Sequence, residues 1–527
     1  MNKNIRSALE SQTGIRVLVA ANALLLIVGL SMVGPTGSKP SGSPLAAPSN
    51  VTNPAPTGTG TASTGPTSGA TGTKAPSGIV SPTGGDKGGI RFKDVKPSVP
   101  ASSVPDFGLI TQGITNKQVK VGMSYNVADC GDAAALNAAY ANAAGDPKKA
   151  ITAFTKHINS TGGIQGLEFK PVIVDDGGSG CPEKNVAAAV QMLEQDKVFF
   201  AMPGLHVESD YLIQRHLPVF GGRDDPASLA RYGANGLQLL EPEEPTYEAW
   251  ATFARYQLKS AEHKPCLIRI EKGAAGDFDT SEKILKQQMT KQGLSFGDRI
   301  YVFKDDVSTA QQQSDDIVTS AQSKGCDQVF FMAGNPIGLI FMTDAAFQHG
   351  WMPTWTFTSR TYGIDDDTIS SLMNKAEWNN AIGLSYRVPS GKHPKEGNCK
   401  KIYEKYYPND GLSTSAAVNI VCAQFLTGTE MMRRAIKLTG TLNANTLMLG
   451  ASEIQGDFFY DATVPMDFNI RKASGPFKTR GFSYYTIADY DSSQNKYTFP
   501  KYPCYYRTFK ANDGGCENLE GTFKNAQ

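Results

Sequence analysis

The first 91 residues of this 527-residue chain lack aromatic side chains. No Phe, Tyr or Trp precedes Phe92, although the chain contains 25 Phe, 20 Tyr and 4 Trp. Aromatic side chains bury more area than any others. A segment without them has little apolar surface to bury, so the sequence places the core after this point. The length allows about two to four domains, or one large bilobed one.

The chain also lacks an excess of charge of either sign. It has 51 Lys and Arg residues against 50 Asp and Glu, for a formal net charge of +1. Proteins that bind nucleic acids need a basic surface to neutralise phosphates. The composition therefore predicts no nucleic-acid partner.

Motifs of common enzymes and metal sites are missing as well. There is no G-x-S-x-G, no H-E-x-x-H, no phosphate-binding loop and no C-x-x-C, and no two of the six histidines are four residues apart. The run Asp365–Asp367 is interpreted as a solvated turn, because the spacing of a calcium loop is absent. We expect a protein that is not an enzyme and has neither a cofactor nor a metal.

One long apolar run, Val17–Gly34, follows Lys3, Arg6 and Arg16. As a helix it would span about 27 Å, the short end of a membrane span. The basic flank predicts that the N-terminus stays inside and that the remainder is exported. Residues 1–34 are therefore either a signal peptide or an N-terminal membrane anchor. The protein is expected at the cell surface or in the periplasm, anchored or secreted.

Residues 35–105 are rich in Gly, Ser, Thr, Pro and Ala. Such a composition buries too little apolar surface to offset chain entropy. We predict that this segment is a disordered tether.

From Ile114 onward, apolar strand-like segments alternate with amphipathic helical segments. Repeated β–α units predict a parallel sheet covered by helices. The alternation restarts after Leu239–Glu243, which predicts two α/β lobes. Helices are expected over Lys401–Lys437, and Tyr- and Phe-rich strands over residues 456–510.

All eight cysteines follow the predicted tether, and their even number indicates disulfides in an oxidising compartment. Cys266 and Cys326 each open a predicted strand, so a disulfide can join them if those strands are parallel neighbours. Sequence alone does not select one pairing. We predict sequential pairs: Cys130–Cys181, Cys266–Cys326, Cys399–Cys422 and Cys504–Cys516.

Five short motifs follow one another in the α/β part of the chain. The first, Asn159–Gly166, reads Asn-Ser-Thr-Gly-Gly-Ile-Gln-Gly, and the other four are Val174–Pro182, Asp196–Gly204, Lys324–Phe331 and Gln348–Trp355. In this order the motifs resemble those of type I periplasmic binding proteins of the branched-chain amino-acid (Leu/Ile/Val) receptor family, which are substrate-binding proteins of ABC transporters and have an Asn-x-x-Gly-Gly-Ile-x-Gly turn. The resemblance covers about Ile114 to Phe509.

The resemblance implies two Rossmann-like lobes, joined by three crossovers, with a ligand cleft between them. The crossovers are expected near Leu239–Glu243, Ala381–Tyr386 and Phe482–Thr486. Lobe 1 would then comprise residues 106–240 with 387–481, and lobe 2 residues 241–380 with 486–510. Residues 511–527 would form a C-terminal tail.

Ligands of open α/β sheets bind at the carboxyl ends of the strands. Applied to the implied lobes, this rule selects the residues that follow the predicted strands. The candidate ligand-binding residues are Leu205, His206, Glu208, Gly222, Arg223, Asp224, Asp277, Phe278, Asn335, Ser359, Arg360 and Thr361.

The chain departs from the family's amino-acid pattern at two loops. Ser359–Thr361 stands where the family has an acidic residue for the ligand's ammonium, and Leu205–Val207 replaces a Ser/Thr run. Arg223 and Arg360 suit a carboxylate or polyol through paired hydrogen bonds. Alternatively, each arginine pairs with a neighbouring acid, Arg223 with Asp224 or Asp225 and Arg360 with Asp365–Asp367.

Two functions are consistent with these features. The first is an extracytoplasmic solute-binding protein that delivers a small polar ligand (a carboxylate, a polyol or an amino-acid-like molecule) to an ABC permease. The alternative is a membrane-tethered ligand sensor or adhesion module with the same fold and no transporter. A sensor would usually carry a cytoplasmic domain, and only about 16 residues precede the apolar run, which favours transport.

Overall fold

A computed structural model gives the fold of this chain. It describes residues 79–80, 89–100, 103–125, 145–177, 182–202, 206–221, 236–237, 241–271, 278–304, 309–333, 337–361, 364–468, 482, 484–519 and 521. Within them, no helix combines the length and apolarity that crossing a membrane requires. The apolar run Val17–Gly34, Cys130 and Cys181 lie outside the described residues.

Short strands are distributed along the described chain. They are β1 Ile79–Val80, β2 Ile90–Phe92, β3 Gln118–Tyr125, β4 Glu168–Asp175, β5 Phe200–Met202, β6 Val219–Phe220, β7 Gly236–Leu237, β8 Pro265–Ile270, β9 Ile300–Phe303, β10 Gln328–Met332, β11 Thr354–Thr358, β12 Ala381–Ser385, β13 Thr441–Leu442, β14 Gln455–Phe458, β15 Met466–Asp467, β16 Thr486–Asp491, β17 Lys496–Thr498, β18 Cys504–Tyr506 and β19 Cys516–Asn518.

The helices connect these strands and cover the sheets. They are α1 Pro147–Ser160, α2 Pro182–Val190, α3 His206–Gln214, α4 Glu243–Tyr256, α5 Phe278–Lys291, α6 Ala310–Ser323, α7 Ile337–Gln348, α8 Asp367–Ser370, α9 Lys375–Trp378, α10 Asn398–Glu404, α11 Ala416–Thr439 and α12 Ala444–Ser452.

Lobe 1 is built on a five-stranded sheet in the order β4-β3-β5-β6-β7. All of its neighbouring strands are parallel. Val119, Val121 and Phe169 in its two longest strands are fully buried. Strands buried on both faces appear in the sequence as apolar runs. Strand β5 is such a run, whereas Gln118 and Lys120 make the first half of β3 alternate.

The turn between α1 and β4 depends on glycine. Gly163 has φ of +62°, and a Cβ there would lie 2.0 Å from the Leu167 carbonyl oxygen. A side chain would meet backbone that cannot move aside, whereas glycine adopts this conformation without strain. The turn sets where β4 begins beside β3.

Lobe 2 is built on a seven-stranded sheet in the order β17-β16-β12-β11-β10-β8-β9. Its five strands from β8 to β12 pair in parallel, and β16 and β17 add antiparallel pairs at one side. The expected crossover at Ala381–Tyr386 therefore begins later than predicted. Residues 381–385 form β12, and the chain leaves the sheet at Tyr386.

After Tyr386 the chain returns to lobe 1, where α10 and α11 pack beside α1. Phe425 of α11 meets Phe169 of β4 with ring centroids 4.9 Å apart. Arg433 donates to the Gly163 carbonyl oxygen at 2.9 Å. The chain then re-enters the lobe 2 sheet at Thr486, where β16 pairs with β12.

Part of the expected tether is ordered and packed. Strand β2 pairs with β1 and β13, and Ile90 and Phe92 are buried. The Phe92 amide donates to the Gly440 carbonyl oxygen at 2.8 Å. The prediction of disorder is wrong for residues 89–100, because Ile90 and Phe92 alternate with Arg91 and bury two apolar side chains in one short strand.

The C-terminal region also differs from expectation. The expected tail contains β19, which pairs antiparallel with β18. Three disulfides lie within the described residues, Cys266–Cys326, Cys399–Cys422 and Cys504–Cys516. These are three of the sequential pairs, and Cys266 and Cys326 join neighbouring parallel strands as expected, since Cys266 is in register with Val329. Cys504–Cys516 joins β18 to β19, which fixes the tail.

A buried carboxylate in lobe 2 makes stability depend on pH. Glu377 of α9 is completely buried, and its Oε2 accepts from Trp355 Nε1 at 3.3 Å. Its Oε1 has no hydrogen-bond partner among the described residues. Burial raises the pKa of Glu377 from 4.5 to about 7. The folded protein therefore binds this proton more tightly than the unfolded chain, and the resulting stabilisation is lost as pH rises through 7.

We predict that Glu377→Gln raises the unfolding free energy at pH 8 by about 1–3 kcal/mol, since the amide carries no buried charge. At pH 4.5 the same variant should differ little from the parent. Urea unfolding at both pH values measures this, with the exposed Glu248→Gln on α4 as the control. An equal effect of Glu377→Gln at both pH values would contradict the explanation.

Candidate functional site

The candidate site comprises the carboxyl ends of the parallel strands in both sheets. Of the candidate ligand-binding residues, the structure describes the side chains of Glu208, Phe278, Ser359, Arg360 and Thr361, and only the backbone of His206. Among the described residues, no group of three or more His, Cys, Asp or Glu is arranged to hold a metal. The remaining candidates lie outside the described part of the chain; they are Leu205, Gly222, Arg223, Asp224, Asp277 and Asn335.

On lobe 1, Glu208 lies in the first turn of α3, directly after β5. The side chain is completely buried. Ser124, near the end of β3, donates to its Oε2 at 2.7 Å. This hydrogen bond ties the start of α3 to the carboxyl edge of the sheet, where a ligand contact is predicted from the sequence.

On lobe 2, Phe278 begins α5 and is 7% exposed, whereas Ser359 belongs to an internal hydrogen-bond network. The Ser359 hydroxyl donates to Asp365 Oδ2 and accepts from the Tyr386 amide at 3.0 Å. Ser385 donates to the same Asp365 oxygen at 2.7 Å. These contacts hold the end of β11 against the end of β12, so Ser359 has a structural role.

Arg360 contacts the first crossover. Its Nη1 donates to the Glu241 carbonyl oxygen at 2.8 Å, and its Nη2 donates to Glu243 Oε1 at 3.3 Å. Its guanidinium carbon lies 5.7 Å from the centroid of the Tyr247 ring. Arg360 therefore joins the end of β11 to the start of α4, and Thr361 beside it is 2% exposed.

The alternative pairing expected for Arg360, with Asp365–Asp367, is taken by another arginine. Arg387 Nη2 lies 2.7 Å from Asp366 Oδ2, and Arg387 Nε lies 4.0 Å from Asp365 Oδ1. Glu243, the partner of Arg360, is more than a hundred residues upstream. The spacing of charged residues along the sequence cannot predict a contact between residues so far apart.

Side chains from all three crossovers meet in one buried group, Glu241, Thr246, Tyr386, Phe482 and Tyr485, which we call the hinge cluster. The Tyr485 hydroxyl donates to Glu241 Oε2 at 2.8 Å and lies 2.8 Å from Thr246 Oγ1. The Tyr386 ring stacks on Tyr485 and on Phe482, with centroids 5.2 and 4.5 Å apart. Burial, reinforced by the charge of Glu241, raises the pKa of Tyr485 well above that of a free phenol. The hydroxyl therefore stays protonated and remains a donor.

The residues of the hinge cluster are not predicted by the sequence. Aromatic residues in the third crossover were the available signal, since Phe482, Tyr484 and Tyr485 follow one another closely. Which of them meets Glu241 depends on how the three segments align, and this is a tertiary property.

Known proteins resemble this chain in sequence pattern and in fold. Residues 118–481 match a family model described as periplasmic binding protein. A fatty acid ABC transporter substrate-binding protein from Thermomonospora curvata has a TM-score of 0.53 at 14% identity, covering 79% of this chain and 96% of its own.

Two further solved structures are similar. LivJ, the branched-chain amino acid transporter substrate-binding protein of Streptococcus pneumoniae in complex with isoleucine, has a TM-score of 0.52 at 12% identity and covers 73% of this chain and 100% of its own. The leucine-binding protein LivK of Thermotoga maritima has a TM-score of 0.51 at 11% identity and covers 72% and 97%. No curated protein sequence matches the chain.

The contacts of Arg360 predict a structural role that can be measured. Arg360→Ala removes the arginine donors from the buried Glu243 carboxylate and from the Glu241 carbonyl, so we expect a loss of about 2–3 kcal/mol of unfolding free energy. Urea unfolding measures the loss, and the exposed Arg255→Ala on α4 is the matched control. Unchanged stability of Arg360→Ala would show that these contacts contribute little and would restore a role in ligand binding.

Proposed function

Because this chain belongs to the periplasmic binding protein family, it is a solute-binding protein of the ABC-transporter type and not an enzyme, and we propose that it captures a small polar ligand between its lobes and delivers it to an ABC permease. Its α/β fold, with two parallel-sheet lobes, is that of type I periplasmic binding proteins. Family membership implies an extracytoplasmic location, and the disulfides agree with it.

The observation that carries the proposal is the hinge cluster between two sheets of similar construction. Lobes that meet through a few crossover residues can rotate about them when a ligand contacts both sides. Glu241, Tyr386 and Tyr485 fix the position of that rotation axis, because each belongs to a different crossover. Ligand-driven closure gives a permease a means to distinguish loaded from empty protein.

We propose that the ligand contacts the loops after the strands of both lobes. The lobe 1 set is Leu205, His206, Gly222, Arg223 and Asp224. Glu208 is completely buried and accepts from Ser124, so we assign it a structural role, as we do Ser359 and Arg360. The lobe 2 set is Asp277, Phe278, Asn335 and Thr361. The hydrogen bonds of Ser359 and Arg360 within lobe 2 leave Arg223 as the cation we assign to an anionic ligand.

We propose that this ligand carries a carboxylate. One similar structure is that of a fatty acid ABC transporter substrate-binding protein, and another contains isoleucine. Fatty acids and amino acids both carry a carboxylate, which an arginine binds through two parallel hydrogen bonds. We also propose that residues 1–34 export the protein and either anchor it or are removed.

We predict that a carboxylic acid raises the melting temperature of the protein in a panel of amino acids, carboxylates, sugars and polyols. A ligand at 100 times its Kd stabilises the folded state by about 2.7 kcal/mol. Arg223→Gln should abolish this shift, while Arg255→Gln on the outer face of α4 should retain it. Small-angle scattering should show a smaller radius of gyration in the loaded state.

Two results would contradict the proposal. Stabilisation by a polyol alone would keep the binding function and refute the carboxylate. If no compound in the panel raises the melting temperature, the sensor or adhesion module is favoured, and the search would then turn to a protein partner.

A further inference from the structure

A cavity of about 270 Å³ lies in the helical layer of lobe 1. It is slightly smaller than typical ligand pockets, which begin at about 300 Å³. The cavity therefore suits a small organic molecule. Its lining residues come from the end of α1, the turn before α10, the middle of α11 and the end of β14; those used below are Ile158, Lys395, Leu426, Thr429, Arg433 and Phe459.

This cavity is distinct from the cleft. Helix α1 follows β3 and ends immediately before β4, so its last turn lies at the amino edge of the parallel sheet. Ligands of the cleft lie at the carboxyl edge. His157 and Thr161, which line the cavity, are in and just after that last turn.

Two cations line the cavity without a carboxylate partner. Arg433 makes one hydrogen bond, to the Gly163 carbonyl oxygen, and within the described part of the chain neither Arg433 nor Lys395 forms an ion pair. A guanidinium has five N–H donors, so Arg433 has donors in reserve. The acidic lining residue, Glu430, is already paired with Arg434, whose Nε lies 2.7 Å from Glu430 Oε1. The cavity therefore carries an unbalanced positive charge.

The same positive charge affects the pKa of the histidine that lines the cavity. Burial lowers the pKa of His157, and the positive charges of Lys405 and Arg433 lower it further. The imidazole is consequently neutral near pH 7 and does not compete with Lys395 and Arg433 for an anion.

One hydroxyl group in the cavity wall, that of Thr429, is buried and has no hydrogen-bond partner among the described residues. Thr429 is 2% exposed. Buried hydroxyl groups in folded proteins are nearly always hydrogen-bonded to protein, water or ligand. Apolar side chains complete the wall beside it, from Ile158, Leu426 and Phe459.

We propose that this cavity is a second binding site, specific for a small organic anion that carries a carboxylate and one apolar group. Arg433 and Lys395 bind the carboxylate, the Thr429 hydroxyl donates to it, and the apolar group packs against Phe459 and Leu426. The site is independent of the ligand in the cleft, since its residues are separate from those assigned there.

Titration of the full chain with benzoate tests the site, with methyl NMR of Ile158, Leu426 and Thr429 as the readout. We expect saturable shifts at these methyl groups, no saturable shift with benzyl alcohol, and at least a tenfold weaker affinity in Arg433→Gln. Lys437→Gln, one turn further along α11 and exposed, is the matched control and should bind as the parent does. Thr429→Val keeps the shape of the side chain and should also weaken binding.

The proposal is overturned if benzoate at millimolar concentration leaves these methyl groups unshifted. It is also overturned if Arg433→Gln and Lys437→Gln bind equally, or if shifts occur only near Glu208 and Phe278, since the anion would then occupy the cleft alone. If Arg433→Gln lowers the melting temperature, its loss of binding cannot be separated from a loss of stability, and Thr429→Val is then the deciding variant. It deletes a hydroxyl that has no hydrogen-bond partner among the described residues, so weaker benzoate binding is expected without loss of stability. Binding here is read from residues outside the cleft, so failure of the cleft proposal leaves this result unaffected.

Discussion

The bilobed architecture depends on satisfying one buried carboxylate at the point where the chain crosses between sheets. Glu241 is 3% exposed, and a buried charge without partners is strongly destabilising. Its carboxylate accepts from Tyr485 and its carbonyl oxygen accepts from Arg360, which come from distant parts of the chain. The hinge cluster is not complete until the chain has crossed three times, because Tyr485 arrives with the third crossover.

The hinge cluster is the buried contact shared by the three crossovers. The stacked rings of Phe482, Tyr386 and Tyr485 form its apolar part, and the Tyr485 hydroxyl makes its directional contacts, to Glu241 and Thr246. The short hydrogen bonds at the ends of β11 and β12 lie within lobe 2 and hold its own sheet together. If the lobes rotate as proposed, we expect the rotation to fall on the crossover backbone beside the cluster.

The sequence predicts the strands and helices of the two lobes well and the contacts at the crossovers poorly. The strands Thr354–Thr358 and Pro265–Ile270 and the helix Ile337–Gln348 follow from runs of apolar residues, which are a local property of the sequence. The partner of Arg360 does not, because Glu243 is a tertiary neighbour and the nearer Asp365 and Asp366 are occupied by Arg387. Composition also fails to predict strand β2, because the segment around it is rich in Gly and Pro. Two apolar residues are enough to form a strand there, since β2 pairs with β13. At the candidate site, fold position selects the loops, but hydrogen bonding decides which side chains within them are available.

Strand β2 also determines to which lobe the N-terminal segment is attached. The backbone from Phe92 to Val99 is hydrogen-bonded to Leu438 and Gly440 at the C-terminus of α11, which belongs to lobe 1. If residues 1–34 anchor the protein as proposed, the membrane holds lobe 1 through this contact. Lobe 2 is joined to lobe 1 through the crossovers, so closure on a ligand, if it occurs as proposed, would not need to move the attachment. The proposed attachment and the proposed hinge thus involve different segments of the chain, so anchoring the N-terminus would not by itself oppose closure.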